Sequence, residues 1–130
     1  MRYEFVSPEN VRQCWGFVKP GLEKILCKSP EPWIPEDVYA SCVGGKAGLW
    51  LANKDDVCVG FVVCYANNGD FHVWCAYGFL DGQISQWFAL LRDIAKSGGA
   101  SRITFDSWRP AWNKVAKELG FKPRSWAMEI

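Results

Sequence analysis

The 130-residue sequence lacks several features that would place it in a specialised class of protein. No run of apolar residues approaches the roughly 20 that a membrane-spanning helix needs. Glu4 interrupts the apolar patch near the first residue, which is not typical of a signal peptide. The net charge is only +1, so no strong field favours binding to nucleic acid or to an anionic membrane. We therefore expect a cytoplasmic protein that binds neither.

Zinc-site spacing is also missing, although the chain contains six cysteines. No two of them form a C-x-x-C pair, and there is one histidine, so the ligand pattern of a structural zinc site is absent. In a cytoplasmic protein such cysteines are reduced and pack as small apolar side chains. The sequence therefore predicts buried free thiols at Cys14, Cys27, Cys42, Cys58, Cys64 and Cys75.

Aromatic residues, in contrast, are abundant, with eight Trp and eight Phe in one chain. Large rings supply much of the buried area of a small core. They can also line a cleft or a protein contact surface, and composition alone does not separate these roles.

The first third of the chain has the pattern of one strand followed by short helical segments. Ser7 and Pro8 favour a helix start, since a hydroxyl caps exposed N–H groups and the first turn tolerates proline. Pro20 and Gly21 predict a break or kink in this helical region. The predicted segments are a strand at Arg2–Val6, helical pieces from Ser7 to Leu26, a loop at Ser29–Pro35 and a helix from Pro35 to Cys42.

The remainder alternates between strand and helix patterns. Residues with a two-residue apolar period predict strands, and apolar residues at helical spacing predict two amphipathic helices. The segment Val57–Tyr65 is apolar on both faces, which predicts a central strand covered on two sides. Gly120 supplies a stop for the last helix. The predicted strands are Leu49–Ala52, Val57–Tyr65, Phe71–Tyr77, Ile103–Ser107 and Trp126–Ile130, and the predicted helices are Ile84–Ile94 and Pro110–Leu119.

The resulting order is β-α-α-β-β-β-α-β-α-β over a single domain, residues 1–130. A hairpin meander followed by a β-α-β crossover requires a mixed sheet with helices on both faces. The fold class is therefore α/β in the broad sense, or α+β.

This order resembles the GNAT (GCN5-related N-acetyltransferase) fold, and most closely the small GNAT-like proteins that phage and prophage genomes encode. The resemblance covers essentially the whole chain. The segments that carry it are Trp15–Leu22, Glu36–Tyr39, Gly48–Trp50, Ser107–Trp112 and the Leu119-Gly120-Phe121 sequence near the end.

The resemblance implies an acetyl-CoA-dependent N-acyltransferase that acts on an unidentified small-molecule or protein amine. In that family the fourth and fifth strands diverge and the pantetheine arm lies between them, while the following loop and helix N-terminus hold the pyrophosphate. The residues that this implies for cofactor binding are Trp74, Cys75, Ala76, Tyr77, Gly78, Gly82, Gln83, Ser107 and Arg109.

The loop between Gly78 and Gln83 departs from the family pattern. It carries no basic residue, and Asp81 would repel a phosphate. Asp81 and Gly82 can instead simply begin the next helix. Arg109 and Ser107 also have alternatives, an ion pair and a helix cap respectively.

The candidate catalytic residues are His72 and Tyr77. His72 has the one side chain whose ordinary pKa lies near neutrality, which suits a base that deprotonates an amine. On a regular strand it would share a face with Trp74 and Ala76, and a surface or structural role is its alternative. Tyr77 is a candidate acid, because Ala116 stands where the family often has a tyrosine.

Two functional hypotheses follow from these residues. The first is the transferase with a degenerate cofactor loop. The second is an inactive GNAT-fold binding module, for example a phage structural protein or a protein that binds a host factor. Edge strands and exposed tryptophans also allow a homo-oligomer.

Overall fold

A computed structural model of the chain describes residues 2–78, 84–107, 112–123 and 126–130. Within these residues the chain forms one five-stranded sheet and four α-helices. The elements are β1 (Arg2–Val6), α1 (Val11–Lys28), α2 (Pro35–Val43), β2 (Gly48–Lys54), β3 (Val57–Asn67), β4 (Asp70–Tyr77), α3 (Ile84–Ser97), β5 (Arg102–Phe105) and α4 (Trp112–Glu118).

The five strands lie in the sheet in the order in which they occur along the chain. The pairs β1–β2, β2–β3 and β3–β4 are antiparallel, and β5 is parallel to β4. Two tight hairpin turns have consecutive residues with positive φ, Asp55 and Asp56 in one and Asn68 and Gly69 in the other. This conformation matches the twist of antiparallel strands and favours Asn, Asp and Gly. The predicted mixed sheet is therefore confirmed.

Both faces of the sheet are covered by helices, as the strand pattern predicts. One cluster of buried residues joins α1 and α2 to the sheet, with Val18, Leu22 and Phe61 completely buried. A second cluster joins α3 to the opposite face around the buried Trp87. None of the helices in the described part of the chain combines the length and the apolar character that crossing a membrane would require.

The predicted break at Pro20 is wrong, because α1 is one continuous helix from Val11 to Lys28. Pro20 lies on the exposed side of this helix, where one lost backbone hydrogen bond can be replaced by water. Gly21 has a packing role instead. A Cβ there would lie 2.6 Å from Phe61 Cε1, so the glycine allows α1 to approach the sheet closely.

The sixth strand predicted at Trp126–Ile130 does not form. These residues have no regular secondary structure and pair with no strand among the described residues. The alternation of large apolar residues is present in the sequence, but a strand also needs a neighbour that accepts its backbone hydrogen bonds. Five strands and four helices still give the predicted fold class.

Candidate functional site

The pairing between β4 and β5 stops halfway along β4. The last pair is Val73 with Phe105, after which β5 ends and β4 continues to Tyr77. Trp74–Tyr77 therefore have no β5 partner in the described part of the chain. We call this the open end of the β4–β5 pair. Its free backbone groups can accept an extended ligand in place of a strand.

Strand β4 contains a bulge at the point where the open end begins. Val63 pairs with Cys75 and Cys64 with Val73, which leaves Trp74 as an extra residue. The bulge changes which side chains share a face. Trp74, Cys75 and Tyr77 pack on the α1 and α2 side, whereas Ala76 packs on the α3 side.

The predicted strict alternation, with Trp74 and Ala76 on one face and Cys75 on the other, is therefore wrong. A sequence pattern with period two cannot register one inserted residue. Bulges are frequent beside functional sites because they redirect side chains and backbone groups.

The opposite end of the β4–β5 pair is closed by polar contacts. The Arg102 Nε atom lies 2.9 Å from the Asp70 Oδ1 atom, and the Asp70 carboxylate is almost completely buried. The Ser101 backbone N–H donates to the Gly69 carbonyl at 2.9 Å. We call this the closed end. It fixes the pairing of the two strands at one end, whereas at the other end β4 continues beyond β5.

His72 lies between the two ends and contacts two residues of the β5 segment. Its Nδ1 atom is 2.7 Å from the Thr104 Oγ1 atom. Its Nε2 atom is 3.7 Å from the Asp106 Oδ2 atom, and the His72 side chain is only 14% exposed. The Tyr65 ring packs beside the imidazole, with ring centroids 5.1 Å apart. His72 is thus held in one orientation, with a carboxylate next to one nitrogen.

Glu31, in the loop after α1, brings a second carboxylate to this region. Burial raises the pKa of the Glu31 carboxyl, and the negative charge of Asp106 raises it further. Trp33 partly opposes this rise. The buried Trp33 Nε1–H lies near the Glu31 carboxylate without forming a hydrogen bond to it. A carboxyl with a raised pKa is a stronger base than an exposed one.

A cavity of about 470 Å³ lies on the α1 and α2 side of the sheet. Neither Glu31 nor Asp106 lines it, but each interacts electrostatically with a residue of its wall, Glu31 with Trp33 and Asp106 with Tyr65. Its walls include Trp33, Tyr65 and Trp74. The Trp74 ring makes angles of 74° with Trp33 and 82° with Tyr65, so the rings form walls at nearly right angles. Lys46, which is exposed, also lines this cavity. This arrangement of ring faces with carboxylates nearby suits a cationic ligand.

The structure gives Tyr77 and Cys75 specific surroundings. The Lys24 Nζ atom donates to the Tyr77 hydroxyl at 3.2 Å, and the Tyr77 ring packs on Phe61. Cys75 is buried in the core, and burial raises the pKa of its thiol. A buried thiol that stays protonated is a poor nucleophile, so Cys75 has only its backbone to offer at this site.

His72 and Tyr77, the two candidate catalytic residues, are not brought together. They are five residues apart on the same strand, or about 15 Å at the rise of an extended chain. They therefore cannot act on one reacting atom in this arrangement. His72 lies beside the start of the open end, whereas Tyr77 lies at the far end of β4.

Gly78 has a structural reason of its own to be glycine. Its φ is +82°, and a Cβ there would collide with the Val59 carbonyl oxygen. On the neighbouring strand, a Cβ on Gly60 would lie 2.6 Å from the Tyr77 carbonyl oxygen. The two glycines therefore allow close contact between β3 and the end of β4.

The other implied cofactor residues lie at or beyond the limits of the described chain. Ser107 is exposed just after β5. Gly82, Gln83 and Arg109, together with Asp81, lie outside the described residues. Their roles stay predictions.

Sequence reasoning missed several residues that the fold brings to the site. They come from different parts of the chain, and no local motif links them. The one available signal was the abundance of aromatic residues, which left a cleft lining as an open alternative. The missed residues are Glu31, Trp33, Tyr65, Thr104 and Asp106.

The prediction of buried cysteines holds for Cys42, Cys64 and Cys75, whereas Cys27 is exposed. All six are free thiols.

No protein-family model matches the sequence, and no curated protein sequence does either. Solved structures do match over nearly the whole chain. A ribosomal-protein-alanine N-acetyltransferase from Brucella melitensis biovar Abortus has a TM-score of 0.66 at 15% identity, with 99% of this chain and 96% of that chain covered.

Two aminoglycoside acetyltransferases are similar in the same way. AAC(6')-Iy, in complex with CoA, has a TM-score of 0.65 at 16% identity, covering 99% of this chain and 97% of that one. An enzyme from an uncultured soil metagenomic sample, in complex with sisomicin, has a TM-score of 0.72 at 8% identity, covering 99% and 93%. The five-stranded mixed sheet with helices on both faces is therefore the GNAT fold.

Proposed function

We propose that this protein is an acetyl-CoA-dependent N-acetyltransferase whose acceptor is a cationic amine. The observation that carries the proposal is the open end of the β4–β5 pair, which begins at a bulge and lies beside His72. The GNAT fold supports it, because solved structures with this fold include an acetyltransferase bound to CoA. Fold alone does not specify chemistry, so the argument rests on the site.

The described residues fit an extended acyl carrier. The backbone of Trp74–Tyr77 continues past the end of β5, so its groups on that side can bind the amides of a pantetheine arm. Acetyl-CoA, when bound, supplies a thioester carbonyl to the acceptor amine. The phosphate loop from Gly78 to Gln83 stays a prediction. Gly82→Asp would add negative charge there and should weaken acetyl-CoA binding.

His72 is the proposed base. An amine attacks a thioester only in its neutral form, so the acceptor ammonium must first lose a proton. That proton goes to His72 Nε2, and the adjacent Asp106 carboxylate stabilises the resulting imidazolium. As the N–C bond then forms and the C–S bond breaks, the nitrogen loses a second proton, which would leave with CoA as its thiol. Thr104 keeps the ring in position through the contact with Nδ1. Tyr77 is too distant to share this centre.

The aromatic cavity defines the proposed acceptor class. Three ring faces and the nearby carboxylates of Glu31 and Asp106 attract a positive charge and repel a negative one. An acceptor with a second ammonium group, away from the reacting nitrogen, satisfies this environment. Lys46, the one charged residue among those that line the cavity, opposes this preference, and its exposed position allows its ammonium group to stay in water.

The first experiment measures acetyl-CoA binding by calorimetry together with hydrogen exchange. We expect a dissociation constant below about 1 mM and slower amide exchange at residues 74–77. Amides at residues 71–73, which already face β5, should change little and are the internal control. If acetyl-CoA produces neither heat nor protection, the transferase proposal fails and the binding-module hypothesis replaces it.

The second experiment follows release of the CoA thiol with a panel of amines. Diamines should be better acceptors than amines that carry a carboxylate. Tyr65→Leu should raise the KM of the diamine about tenfold, while Tyr65→Phe, which keeps the ring, should not. Equal rates for dicationic and anionic amines would contradict the acceptor class while leaving the acetyl-CoA result intact.

His72 is tested with the same assay. His72→Gln should lower kcat at least about a hundredfold and remove the rise of rate with pH that a histidine base produces. An unchanged pH profile would exclude His72 as the base. Whether the protein derives from a phage stays a prediction.

A further inference from the structure

The aromatic cavity beside the candidate site has walls that suit one kind of cation better than another. Three of its walls are the rings of Trp33, Tyr65 and Trp74. The Trp33 and Tyr65 ring centroids lie 6.3 Å and 5.6 Å from that of Trp74, and both rings stand at a steep angle to it. A ring face attracts a cation within about 6 Å of its centroid. Since the three rings line the same cavity, one cation can lie close to all of them.

The cavity lining offers few hydrogen-bond acceptors to such a cation. Among the described residues that line it, the side chains with an acceptor oxygen are Ser41 and Tyr65, each with one hydroxyl, and the one charged side chain is that of Lys46. A primary ammonium group carries three N–H donors, and a donor that loses water without gaining a partner costs free energy. A quaternary ammonium group has no N–H donor, so an aromatic lining leaves nothing in it unsatisfied.

The two acids near the cavity attract positive charge without contacting the ligand. Glu31 and Asp106 are not among the lining residues, although each interacts with a residue of the wall. Coulomb attraction acts over such a separation, whereas a hydrogen bond needs direct contact. The described lining therefore combines ring faces with a favourable potential, but it contains no carboxylate that could accept a hydrogen bond from an ammonium group.

We propose that this cavity binds an N-methylated ammonium group, preferably trimethylammonium, as the second charged group of the acceptor. The Tyr65 ring lines the cavity and also packs against His72, so a short linker can join the quaternary nitrogen to the reacting one. The volume of about 470 Å³ is sufficient for the methylated group and part of that linker. For the reacting nitrogen the inference rests on the proposed function, whereas binding of the methylated group does not.

The first test compares two small cations by calorimetry with the full-length protein, without acetyl-CoA and at equal ionic strength. Tetramethylammonium should bind at least about tenfold more tightly than methylammonium, which has the same charge but three N–H donors. Tyr65→Leu should weaken tetramethylammonium binding about tenfold, because one ring face is lost. Tyr65→Phe is the matched control, since it keeps the ring, and it should bind like the wild type. Circular dichroism verifies that each variant is folded.

The results of this test decide the inference separately from the proposed function. Equal affinities for the two cations overturn it, and so does the absence of tetramethylammonium binding. Binding that is unchanged in Tyr65→Leu also overturns it, because the cation would then lie elsewhere. A loss in Tyr65→Phe has the same consequence, because the hydroxyl and not the ring would be the contact. None of these results depends on acetyl-CoA binding, which is measured on its own.

The second test follows release of the CoA thiol with two acceptors that differ only in methylation. A diamine with one nitrogen trimethylated should have a KM at least about tenfold lower than the unmethylated diamine of the same chain length. Tyr65→Leu should remove this preference, and Tyr65→Phe should keep it. Equal KM values overturn the inference, while turnover of both diamines leaves the proposed function intact. If neither diamine reacts, the proposed acceptor class fails and the calorimetric comparison still decides the inference.

Discussion

The two ends of the β4–β5 pair differ sharply, although the same two strands form both. At the closed end, side chains join the strands through the Asp70–Arg102 ion pair and the backbone contact of Ser101 with Gly69. At the open end, β4 continues alone and bulges at Trp74. Strong contacts at the closed end hold the two strands together, so the open end can stay available to a ligand.

The contact between β3 and β4 complements this division. Gly60 and Gly78 allow the end of β4 to lie against β3, so β4 stays paired with β3 up to Tyr77 although its pairing with β5 stops at Val73. The open end therefore has one rigid side and one side free of a strand in the described part of the chain. Rigid walls preorganise a binding site, because less order must be imposed when the ligand binds.

The largest expected effect comes from breaking the rigid side of the open end. Gly78→Ala forces an alanine into positive φ and pushes its Cβ against the Val59 carbonyl, which should destabilise the fold by about 3 kcal/mol. Gly45→Ala is the control, because Gly45 has φ of +76° with open space around its Cβ position. It should cost about 1 kcal/mol. Urea denaturation measures both, and equal losses would mean that the contact with β3 contributes nothing.

An intermediate effect is expected at the closed end. Arg102→Met removes a partner of the buried Asp70 carboxylate and should destabilise the protein by about 2 kcal/mol. This loss is at the low end of what breaking a buried ion pair costs, because Arg102 is partly exposed. The same change at exposed Arg12 is the control and should alter stability by less than about 0.5 kcal/mol. Hydrogen exchange of residues 102–105 should also accelerate in Arg102→Met. Unchanged exchange would show that the closed end does not depend on this ion pair.

The smallest effect concerns Glu31, beside the open end. Its carboxyl pKa is raised above the ordinary 4.5, so the folded state binds this proton more tightly than the unfolded state does. The stabilisation from the protonated carboxyl is complete below 4.5 and is lost as pH rises through the raised pKa. Glu31→Gln should therefore have a melting temperature closest to wild type at about pH 4 and slightly higher than wild type at about pH 7.

Glu9→Gln removes an exposed carboxylate from the short 3-10 turn at Pro8–Asn10, just before α1, and controls for a general change in charge. Thermal denaturation at the two pH values provides the comparison. A Glu31→Gln variant less stable than wild type at neutral pH would contradict the stated direction of the pKa shift.

Local patterns determined most of the elements. The Asn68-Gly69 turn and the continuous apolar run of β3 depend on neighbours in the chain, so their positions could be predicted from residue types. Prediction failed where a residue's environment came from elsewhere. Pro20 stays within a helix, and Gly21 is required by Phe61, which lies 40 positions further along.

The candidate site depends on contacts between distant parts of the chain even more than the fold does. The sequence pointed to His72, because it is the one histidine in the chain, and the resemblance to the GNAT fold implied that two strands diverge. Only the tertiary structure placed Thr104 and Asp106 beside His72 and Glu31 near Asp106. Only the bulge at Trp74 decided which β4 side chains share a face. The physical reason is that strand pairing and loop packing join residues far apart in the chain, and no local period records those contacts.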